Sequence, residues 1–272
     1  MTKEKAVYSH GHHASVVNSH ARRTAQNSAA FLLSHIKRTD QILDLGCGPG
    51  SITIDLAELV PEGQVRGVDA VASVLDQARS SAASRGVNNV TFESVDANAL
   101  PYADGTFDIV FCHQLLQHVQ DPVGILREMK RVCNPQGIVA ARESIYSSFA
   151  WYPAHLQLSA WQEIYLKQAA ANGGEPDAGK FLHAWAAEAG FKPADVQTSV
   201  TSWCYTGQTA KTWGDMWADR AIHSNFKPIS IEKGFATEED IQAIAKGWRE
   251  WRDFEHAWFN VPSGEILCRN SS

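Results

Sequence analysis

The 272-residue sequence is poor in cysteine, in net positive charge and in long apolar runs. Its five cysteines show no Cys-x-x-Cys spacing, and an odd number argues against a complete set of disulfide bonds. The 24 Lys and Arg against 30 Asp and Glu give a net charge of -6, which disfavours nucleic acid and anionic membranes as partners. No apolar run reaches the roughly 20 residues that cross a bilayer, and the N-terminus lacks the apolar stretch of a signal peptide. We therefore expect a cytoplasmic protein without membrane insertion.

Metal-binding patterns are also missing. The chain has 11 histidines, and "HGHH" at 10–13 could bind a soft metal, but neither paired cysteines nor an HExxH motif accompanies it. We predict no metal site.

Tryptophan is absent from the first 150 residues, and all nine tryptophans lie between Trp151 and Trp258. The two parts of the chain are therefore built differently. We predict one domain over 1–272, with an N-terminal helix or lid at 1–38, a ligand-binding core at 39–145, and helices with final strands at 146–272. Oligomeric state cannot be read from the sequence.

Short apolar runs alternate with helical patterns through the middle of the chain. "QILDL", "QVRGVDA", "NVTFESV", "FDIVFC" and "GIVAARE" read as strands, and the segments between them have helical spacing. Strand and helix in strict alternation predict an α/β fold with a parallel sheet covered on both faces. An amphipathic helix is predicted over 15–36, and helices in two pieces around "KPIS" are predicted over 208–258.

A glycine-rich turn is the clearest ligand-binding signal. In "ILDLGCGPG", Gly46, Gly48 and Gly50 follow a strand directly and precede a helix. Glycine adopts backbone angles that other residues avoid, and the missing side chains leave room for a ligand. Asp44 can orient this loop or meet an ammonium group. A tight turn without a ligand is the alternative, because such a loop alone is a weak signal.

Acidic residues follow the next two strands. Asp69 ends "QVRGVDA", and Asp96 follows the third strand in "SVDANAL". The carboxyl ends of parallel strands meet at one edge of a sheet, where a carboxylate can accept from ribose hydroxyls or from the amine of adenine. The series of three signals predicts an adenosine-containing ligand.

Two residues argue against a dinucleotide. Ser51 stands where a GxGxxG or GxGxxA loop has its last small residue, and Asp44 would repel a pyrophosphate. The pattern favours a cationic ligand, and an NAD-dependent oxidoreductase is the weaker alternative.

Four segments match a known family in the same order: "ILDLGCGPG", "GVDA", "VDANALPYADGTFDIVFCHQLLQHVQDP" and "LREMKRVCNPQG". Over roughly residues 40–145 the chain resembles the class I S-adenosylmethionine-dependent methyltransferases, and it is similar to the ubiquinone and menaquinone biosynthesis group. The resemblance implies a Rossmann-like, seven-stranded, mostly parallel sheet with helices on both faces. It also implies an antiparallel last strand, for which "GEILCR" is the candidate, an N-terminal helical lid, and helical cap insertions in the C-terminal half.

The resemblance implies S-adenosylmethionine as cofactor and S-adenosylhomocysteine as product. The predicted cofactor residues are Tyr8, Asp44, Gly46, Gly48, Gly50, Asp69, Ala70, Asp96, Ala97 and His113. The glycines are expected against the amino acid part of the cofactor, and Asp69 at the ribose. Asp96 and the Ala97 amide are expected near the adenine, with His113 beside the sulfonium.

Histidines supply the candidate base. His118 in "HQLLQHVQDP" leaves the fourth strand beside the expected methyl group, and histidine titrates in the right range for proton removal. His113 is the second choice, and packing against the next helix is an equal alternative for His118. Glu143 and Ser144 end the fifth strand and are expected to face the substrate.

Residues in the N-terminal segment and in the C-terminal half each have two alternative roles. Tyr8, with His12 and His13, could fold over the cofactor or belong to a frayed terminus. Aromatic residues that could form an acceptor wall are Trp151, Tyr152, Trp161, Trp213 and Trp217. The four-residue spacing of Trp213 and Trp217 is more typical of core.

The prediction is methyl transfer to a small-molecule acceptor, apolar or aromatic, at oxygen, carbon or nitrogen. An "NPPY"-type segment, typical of base-methylating members, is missing after the fourth strand, where "CHQLLQ" stands. The alternative is a cofactor-binding protein with a pericyclase or regulatory role.

Overall fold

The computed structural model describes residues 23–271 as an eight-stranded sheet with helices around it. The strands are β1 (Gln41–Leu45), β2 (Gln64–Asp69), β3 (Val90–Ser94), β4 (Phe107–His113), β5 (Cys133–Ser144), β6 (Ala150–Tyr152), β7 (Val196–Thr206) and β8 (Trp258–Arg269). The α-helices are α1 (Ala25–Ser28), α2 (Ala30–Leu33), α3 (Ser51–Leu59), α4 (Ala72–Arg85), α5 (Pro122–Val132), α6 (Leu156–Ala171), α7 (Leu182–Glu188), α8 (Gly207–His223), α9 (Phe226–Glu232) and α10 (Glu238–Arg252). Single 3-10 turns lie at Leu116–His118, Tyr146–Ser148, Ala178–Lys180 and Pro193–Asp195.

The sheet is parallel through its first five strands, in the order β3-β2-β1-β4-β5. Next to β5 lies β8, which is antiparallel to both β5 and β7. The predicted mostly parallel, Rossmann-like sheet with an antiparallel last strand is thus confirmed. The structure has one strand more than the predicted seven because the three-residue β6 pairs with the beginning of β8. β8 contains "GEILCR" but begins earlier, at Trp258.

Both faces of the sheet are covered, as its apolar strands require. On β1, Leu43 and Leu45 point into an apolar cluster that includes residues of α5 and α7. Ile42 points to the opposite face, where it packs with residues of α1, α2 and α3. Because β1 to β5 are parallel, their carboxyl ends lie together at one edge of the sheet.

The single helix predicted over 15–36 is wrong in its described part. Thr24 and Asn27 form a capping box that starts a new helix at Ala25. That helix stops at Ala29, whose φ of -135° is not helical, and α2 follows. The carbonyl of Asn27 accepts a hydrogen bond from Trp203 Nε1 at 2.7 Å, so this segment is tied to β7.

The C-terminal half has an apolar core of its own. It is lined by α6, α8, α9 and α10 and by the first residues of β8, and its largest buried side chains are Trp161, Trp217, Trp248 and Trp251. "KPIS" lies inside α9 rather than between two helices. Pro228 is tolerated because it is in the first turn of α9, where backbone N–H groups have no helical partner. Within residues 23–271, every helix is too short or too polar to cross a membrane.

Candidate active site

The glycine-rich turn, Gly46–Gly50, connects β1 to α3 and is anchored on β2. The backbone N–H groups of Gly46 and Cys47 both donate to the carbonyl of Val68, at 2.8 and 3.0 Å. Gly46, Gly48 and Gly50 all have positive φ, of 71°, 52° and 78°. Residues with a β-carbon adopt this conformation rarely, so the sequence needs glycine here for conformation alone.

The three glycines differ in what lies where a side chain would be. A β-carbon on Gly50 would come within 2.8 Å of Ala78 and 2.9 Å of Phe92, and one on Gly46 would meet Leu115 at 3.1 Å. A β-carbon on Gly48 would meet none of the described residues within 4 Å. The missing side chains of Gly46 and Gly50 therefore admit the protein's own residues, whereas the space beside Gly48 is not filled by any residue in 23–271.

Asp69 holds the turn from the end of β2. Its Oδ2 accepts from the N–H of Gly48 at 3.0 Å, and its Oδ1 accepts from the N–H of Val71 at 2.9 Å. The carboxylate is half-buried at the edge of the sheet. Each carboxylate oxygen has more than one lone pair, so Asp69 can still accept from a ligand hydroxyl. Its neighbour Ala70 is exposed.

Asp44 lies beneath the turn. Its side chain is 2% exposed and accepts from the hydroxyl of Thr53 at 2.6 Å. Burial raises the pKa of Asp44 to about 7, with the charge of Asp69 adding to this and the Thr53 hydrogen bond opposing it. Of its two predicted roles, this placement supports orientation of the loop and leaves no exposed carboxylate for an ammonium group.

Asp96 and Ala97 follow β3 in an exposed turn. Asp96 Oδ1 accepts from the backbone N–H of Asn98 at 3.0 Å and from its side-chain amide at 2.7 Å. Ala97 is half-buried and packs against the apolar cluster beside β4. Both residues thus lie at the same edge as Gly48 and Asp69, as the register of the strands predicts.

The turn after β4 is held by Glu143. The carboxylate is fully buried and accepts three backbone N–H groups, those of Leu115, Leu116 and Gln117, at 2.9, 2.8 and 3.3 Å. Burial raises the pKa of Glu143 to about 7, although these N–H groups act to lower it. The expectation that Glu143 faces the substrate is wrong, because its oxygens point at the backbone of this turn.

Ser144 is also turned inward. Its side chain is 1% exposed, its hydroxyl accepts from Gln114 Nε2 at 2.6 Å, and its backbone N–H donates to Gln117 Oε1 at 3.1 Å. Gln114 itself has a φ of 52°, a conformation that few residues other than glycine adopt. Ser144 therefore supports the turn after β4, and its predicted contact with substrate is wrong for its side chain.

His118 ends that turn in a half-buried position, with Nε2 3.0 Å from the side-chain amide of Gln117. Burial, reinforced by the positive charge of Arg23, lowers the pKa of His118 to about 3. An imidazole with this pKa is neutral at physiological pH but takes up a proton weakly. The role of His118 as a base stays a prediction.

His113 belongs to a polar group, the Arg142 cluster, formed by the buried His113, Arg142 and Glu265, the half-buried Thr201 and the exposed Ser199. Arg142 Nη1 lies 3.0 Å from His113 Nε2, and Arg142 Nε lies 3.2 Å from both Glu265 Oε1 and the hydroxyl of Thr201. The hydroxyls of Ser199 and Thr201 donate to the Glu265 carboxylate. Burial, with the charges of Arg23 and Arg142, holds the pKa of His113 well below its usual value. His113 is thus a neutral hydrogen-bond acceptor.

Sequence relatives match over almost the whole chain. Residues 36–190 match the model of a family described as a methyltransferase domain. The chain is 31% identical over 277 residues to an uncharacterized methyltransferase of Schizosaccharomyces pombe, covering 98% of this chain and 97% of that one. It is 34% identical over 282 residues to a probable methyltransferase of Aspergillus luteorubrus, covering 96% of each. The chain belongs to the S-adenosylmethionine-dependent methyltransferases.

The ubiquinone and menaquinone group is matched over a shorter range. A ubiquinone/menaquinone biosynthesis C-methyltransferase of Bdellovibrio bacteriovorus is 39% identical over 110 residues, which are 40% of this chain and 46% of that one. Among solved structures, a putative methyltransferase of Bacillus halodurans aligns with a TM-score of 0.61 at 17% identity, covering 89% of this chain and 98% of that one. That likeness shows the methyltransferase fold.

We call the turn Gly46–Gly50, together with Asp69 and the turn that contains Asp96 and Ala97, the cofactor cradle. Its residues are compatible with S-adenosylmethionine, the cofactor of this methyltransferase. Free space over Gly48 admits a ligand against the backbone, and Asp69 offers carboxylate oxygens within the same turn. The predicted lid residues Tyr8, His12 and His13 lie outside the described residues.

The sequence interpretation missed Arg142, Glu265 and Trp203. The Arg142 guanidinium lies 4.6 Å from the centre of the Trp203 ring, so the indole forms one wall of the Arg142 cluster. The available signal was Arg142, which precedes Glu143 at the end of the apolar run "GIVAARES", and Glu265 in "SGEILCR", which ends in Arg269. Charged residues that fall within largely apolar strands indicate buried pairing.

Of the aromatic residues considered for an acceptor wall, Trp161 and Trp217 are core. They are 0% and 2% exposed, and their ring centres are 4.4 Å apart. Tyr152 is 61% exposed and faces solvent. Half-buried Trp213 stacks on Tyr205 at 4.2 Å and is also engaged within the C-terminal half.

Proposed function

We propose that this methyltransferase acts on a small-molecule acceptor. The observation that carries the proposal is the cofactor cradle, in which Gly48 opens onto free space while Asp69 fixes the turn. Its neighbour is the turn after β4, which Glu143 holds through three backbone N–H groups and which touches Gly46 through Leu115. The cofactor supplies an electrophilic methyl group on a sulfonium sulfur, so catalysis depends mainly on positioning.

The cradle residues take the following roles in this proposal. Gly48 faces the amino acid part of the cofactor, and Asp69 accepts from the ribose hydroxyls next to Ala70. Asp96 and the Ala97 amide are at the adenine, where Asp96 lies exposed. Gly46 and Gly50 act indirectly, since their positive φ and their contacts with the protein shape the turn.

On the acceptor side, His113 lies at the carboxyl end of β4, and Arg142 lies next to it on β5. The acceptor is proposed to bind above these strand ends, between the segment that begins at Arg23 and the C-terminal half. Support for a small molecule comes from the similarity to a ubiquinone/menaquinone biosynthesis C-methyltransferase and from the net charge of -6, which disfavours nucleic acid. A cytoplasmic location remains a prediction that cell fractionation would test.

The test is transfer of a radioactive methyl group from S-adenosylmethionine to defined panels of acceptors. The panels are small carboxylic acids, phenols, 1,3-dicarbonyl compounds and amines, with total RNA and a protein extract for comparison. Label in a small-molecule panel supports the proposal. Label only in RNA or protein contradicts the proposed acceptor, and cofactor binding without any transfer favours a pericyclase or regulatory role.

A further inference from the structure

Arg142 has one nitrogen that lacks a hydrogen-bond partner within residues 23–271. The side chain is 1% exposed, and its Nη2 is buried without a hydrogen-bond partner among the described residues. Its other two nitrogens are used, Nη1 by His113 and Nε by Glu265 and Thr201. A buried N–H group of a charged side chain that lacks an acceptor is costly, so its presence calls for a physical reason.

Two carboxylates, Glu265 and Glu143, act on the Arg142 charge, and burial raises the pKa of Glu143 to about 7, so its negative charge is partial near neutral pH. Glu265 neutralises Arg142 in part, but its carboxylate also accepts from the hydroxyls of Ser199 and Thr201. A second cation is near, because Arg23 lies 5.5 Å from the Trp203 ring and donates to Gln114 Oε1 at 2.5 Å. Trp203 therefore has one guanidinium at 4.6 Å and another at 5.5 Å.

The position of the nitrogen fits an acceptor. Arg142 pairs in register with His113, the last residue of β4, and the next residues form the turn that borders the cofactor cradle. The side chains of Trp203 and Arg23 lie beside the Arg142 cluster. Trp203 is held by a hydrogen bond to Asn27, and Arg23 is held by a hydrogen bond to Gln114. A ligand that binds Nη2 must displace these side-chain contacts, which are separate from the backbone hydrogen bonds of the sheet.

We propose that the acceptor is an organic anion, a carboxylate, phenolate or enolate, whose oxygen binds Arg142 Nη2. This inference rests on the proposed function. On transfer, the oxygen of the carboxylate or phenolate, or the oxygen or carbon of the enolate, forms the bond to the methyl carbon, the carbon–sulfur bond breaks with its electron pair on sulfur, and the anion becomes neutral. An acceptor that is already ionised gives up no proton, so the site needs no strong base, in keeping with the half-buried, neutral His118.

The experiment compares anions with neutral counterparts of the same size. Purified protein saturated with S-adenosylhomocysteine is titrated with benzoate and benzamide, and then with hexanoate and hexanamide, by calorimetry and by tryptophan fluorescence. We expect at least one anion to bind about tenfold or more tightly than its amide, because a charge-assisted hydrogen bond is gained. Equal affinity within both pairs would overturn the proposal.

The matched variant is Arg142→Lys, which keeps a positive charge for Glu265 but removes the planar guanidinium with its Nη2. We expect its preference for the anion over the amide to fall about tenfold while S-adenosylhomocysteine affinity is unchanged. If this variant does not fold, Arg142→Met combined with Glu265→Gln removes both charges together and is titrated in the same way. An unchanged preference in a folded variant would overturn the proposal.

These outcomes separate the inference from the proposed function. Methylation of neutral amines with no preference for anions would leave the proposed function standing and refute the anion site. Arg142-dependent binding of benzoate or hexanoate, with no transfer to any small molecule, would support the anion site and refute the proposed function.

Discussion

The cofactor cradle is built by short loops of the first half of the chain, whereas the Arg142 cluster is assembled from four strands. Asp44 and its partner Thr53 are nine positions apart, and Gly48 and Asp69 are 21 apart. Arg142 and Glu265, by contrast, are separated by 123 positions. The cradle therefore leaves a pattern in local sequence, and the cluster exists only once the antiparallel strand β8 lies beside β5.

The two regions also use charge differently. The cradle holds its loops mainly with backbone groups and carboxylates at the sheet edge, where water can reach Asp69 and Asp96. The Arg142 cluster holds an ion pair whose side chains are 1% and 2% exposed. Substitutions in the cradle should therefore lower cofactor affinity, whereas substitutions in the Arg142 cluster should first lower stability.

The largest effect is expected from breaking the buried ion pair. Arg142→Met leaves the Glu265 carboxylate buried without its cation, which should lower the free energy of unfolding by about 3–5 kcal/mol. The double variant with Glu265→Gln should recover most of that loss, because the new amide oxygen could still accept from Ser199 and Thr201. Chemical denaturation measures both. Equal destabilisation by the single and double variants would contradict the assignment.

The glycines of the cradle provide a matched pair. Gly50→Ala introduces a β-carbon at 2.8 Å from Ala78 and should cost about 2–4 kcal/mol through overpacking and backbone strain. The β-carbon that Gly48→Ala adds has no described atom within 4 Å, so strain alone should cost about 1–2 kcal/mol. For affinity we expect the reverse order. Relative to the stability that each variant loses, Gly48→Ala should lose more affinity for S-adenosylhomocysteine than Gly50→Ala. Thermal unfolding and calorimetry of both variants would show whether this order holds.

Glu143 links stability to pH. Its pKa is raised from 4.5 to about 7, so the folded protein binds a proton that the unfolded chain has lost between these pH values. This contribution is present in full below pH 4.5 and is lost as the pH rises through about 7, by about 3 kcal/mol. In Glu143→Gln, the free energy of unfolding should fall less over this range. Glu163→Gln on the exposed surface of α6 is the control, and identical pH profiles of wild type and Glu143→Gln would refute the effect.

The smallest effect is expected at His118. Because burial lowers its pKa to about 3, His118→Ala should reduce turnover by less than about tenfold and leave cofactor affinity unchanged. Steady-state kinetics with an acceptor identified by the methyl-transfer assay would measure it. A hundredfold loss of turnover at full cofactor affinity would instead support the role as base that the sequence suggested.

The sequence predicted the sheet and its ligand edge because each strand carries its own apolar pattern and each loop its own polar residue. The antiparallel β8 came from the resemblance, and its earlier start at Trp258 depends on pairing with β6 and β7. The inward orientation of Glu143 was not predictable. It follows from the N–H groups of the turn after β4, which lie 26 to 28 positions away.

Within the cradle, the sequence also could not tell apart three glycines with similar backbone angles. What separates them is their distant neighbours, since Phe92 and Ala78 fill the space beside Gly50, and Leu115 fills the space beside Gly46. Local sequence indicated that side chains are excluded at these three positions. Tertiary packing shows which residues exclude them.

Calorimetric titration of the wild-type protein with S-adenosylmethionine, S-adenosylhomocysteine and NADH tests the central claim most directly. The account predicts that both sulfur nucleosides bind, that NADH does not, and that Gly48→Ala weakens both sulfur nucleosides while the protein stays folded. Binding of NADH alone, or failure of a folded sample to bind either sulfur nucleoside, would contradict it.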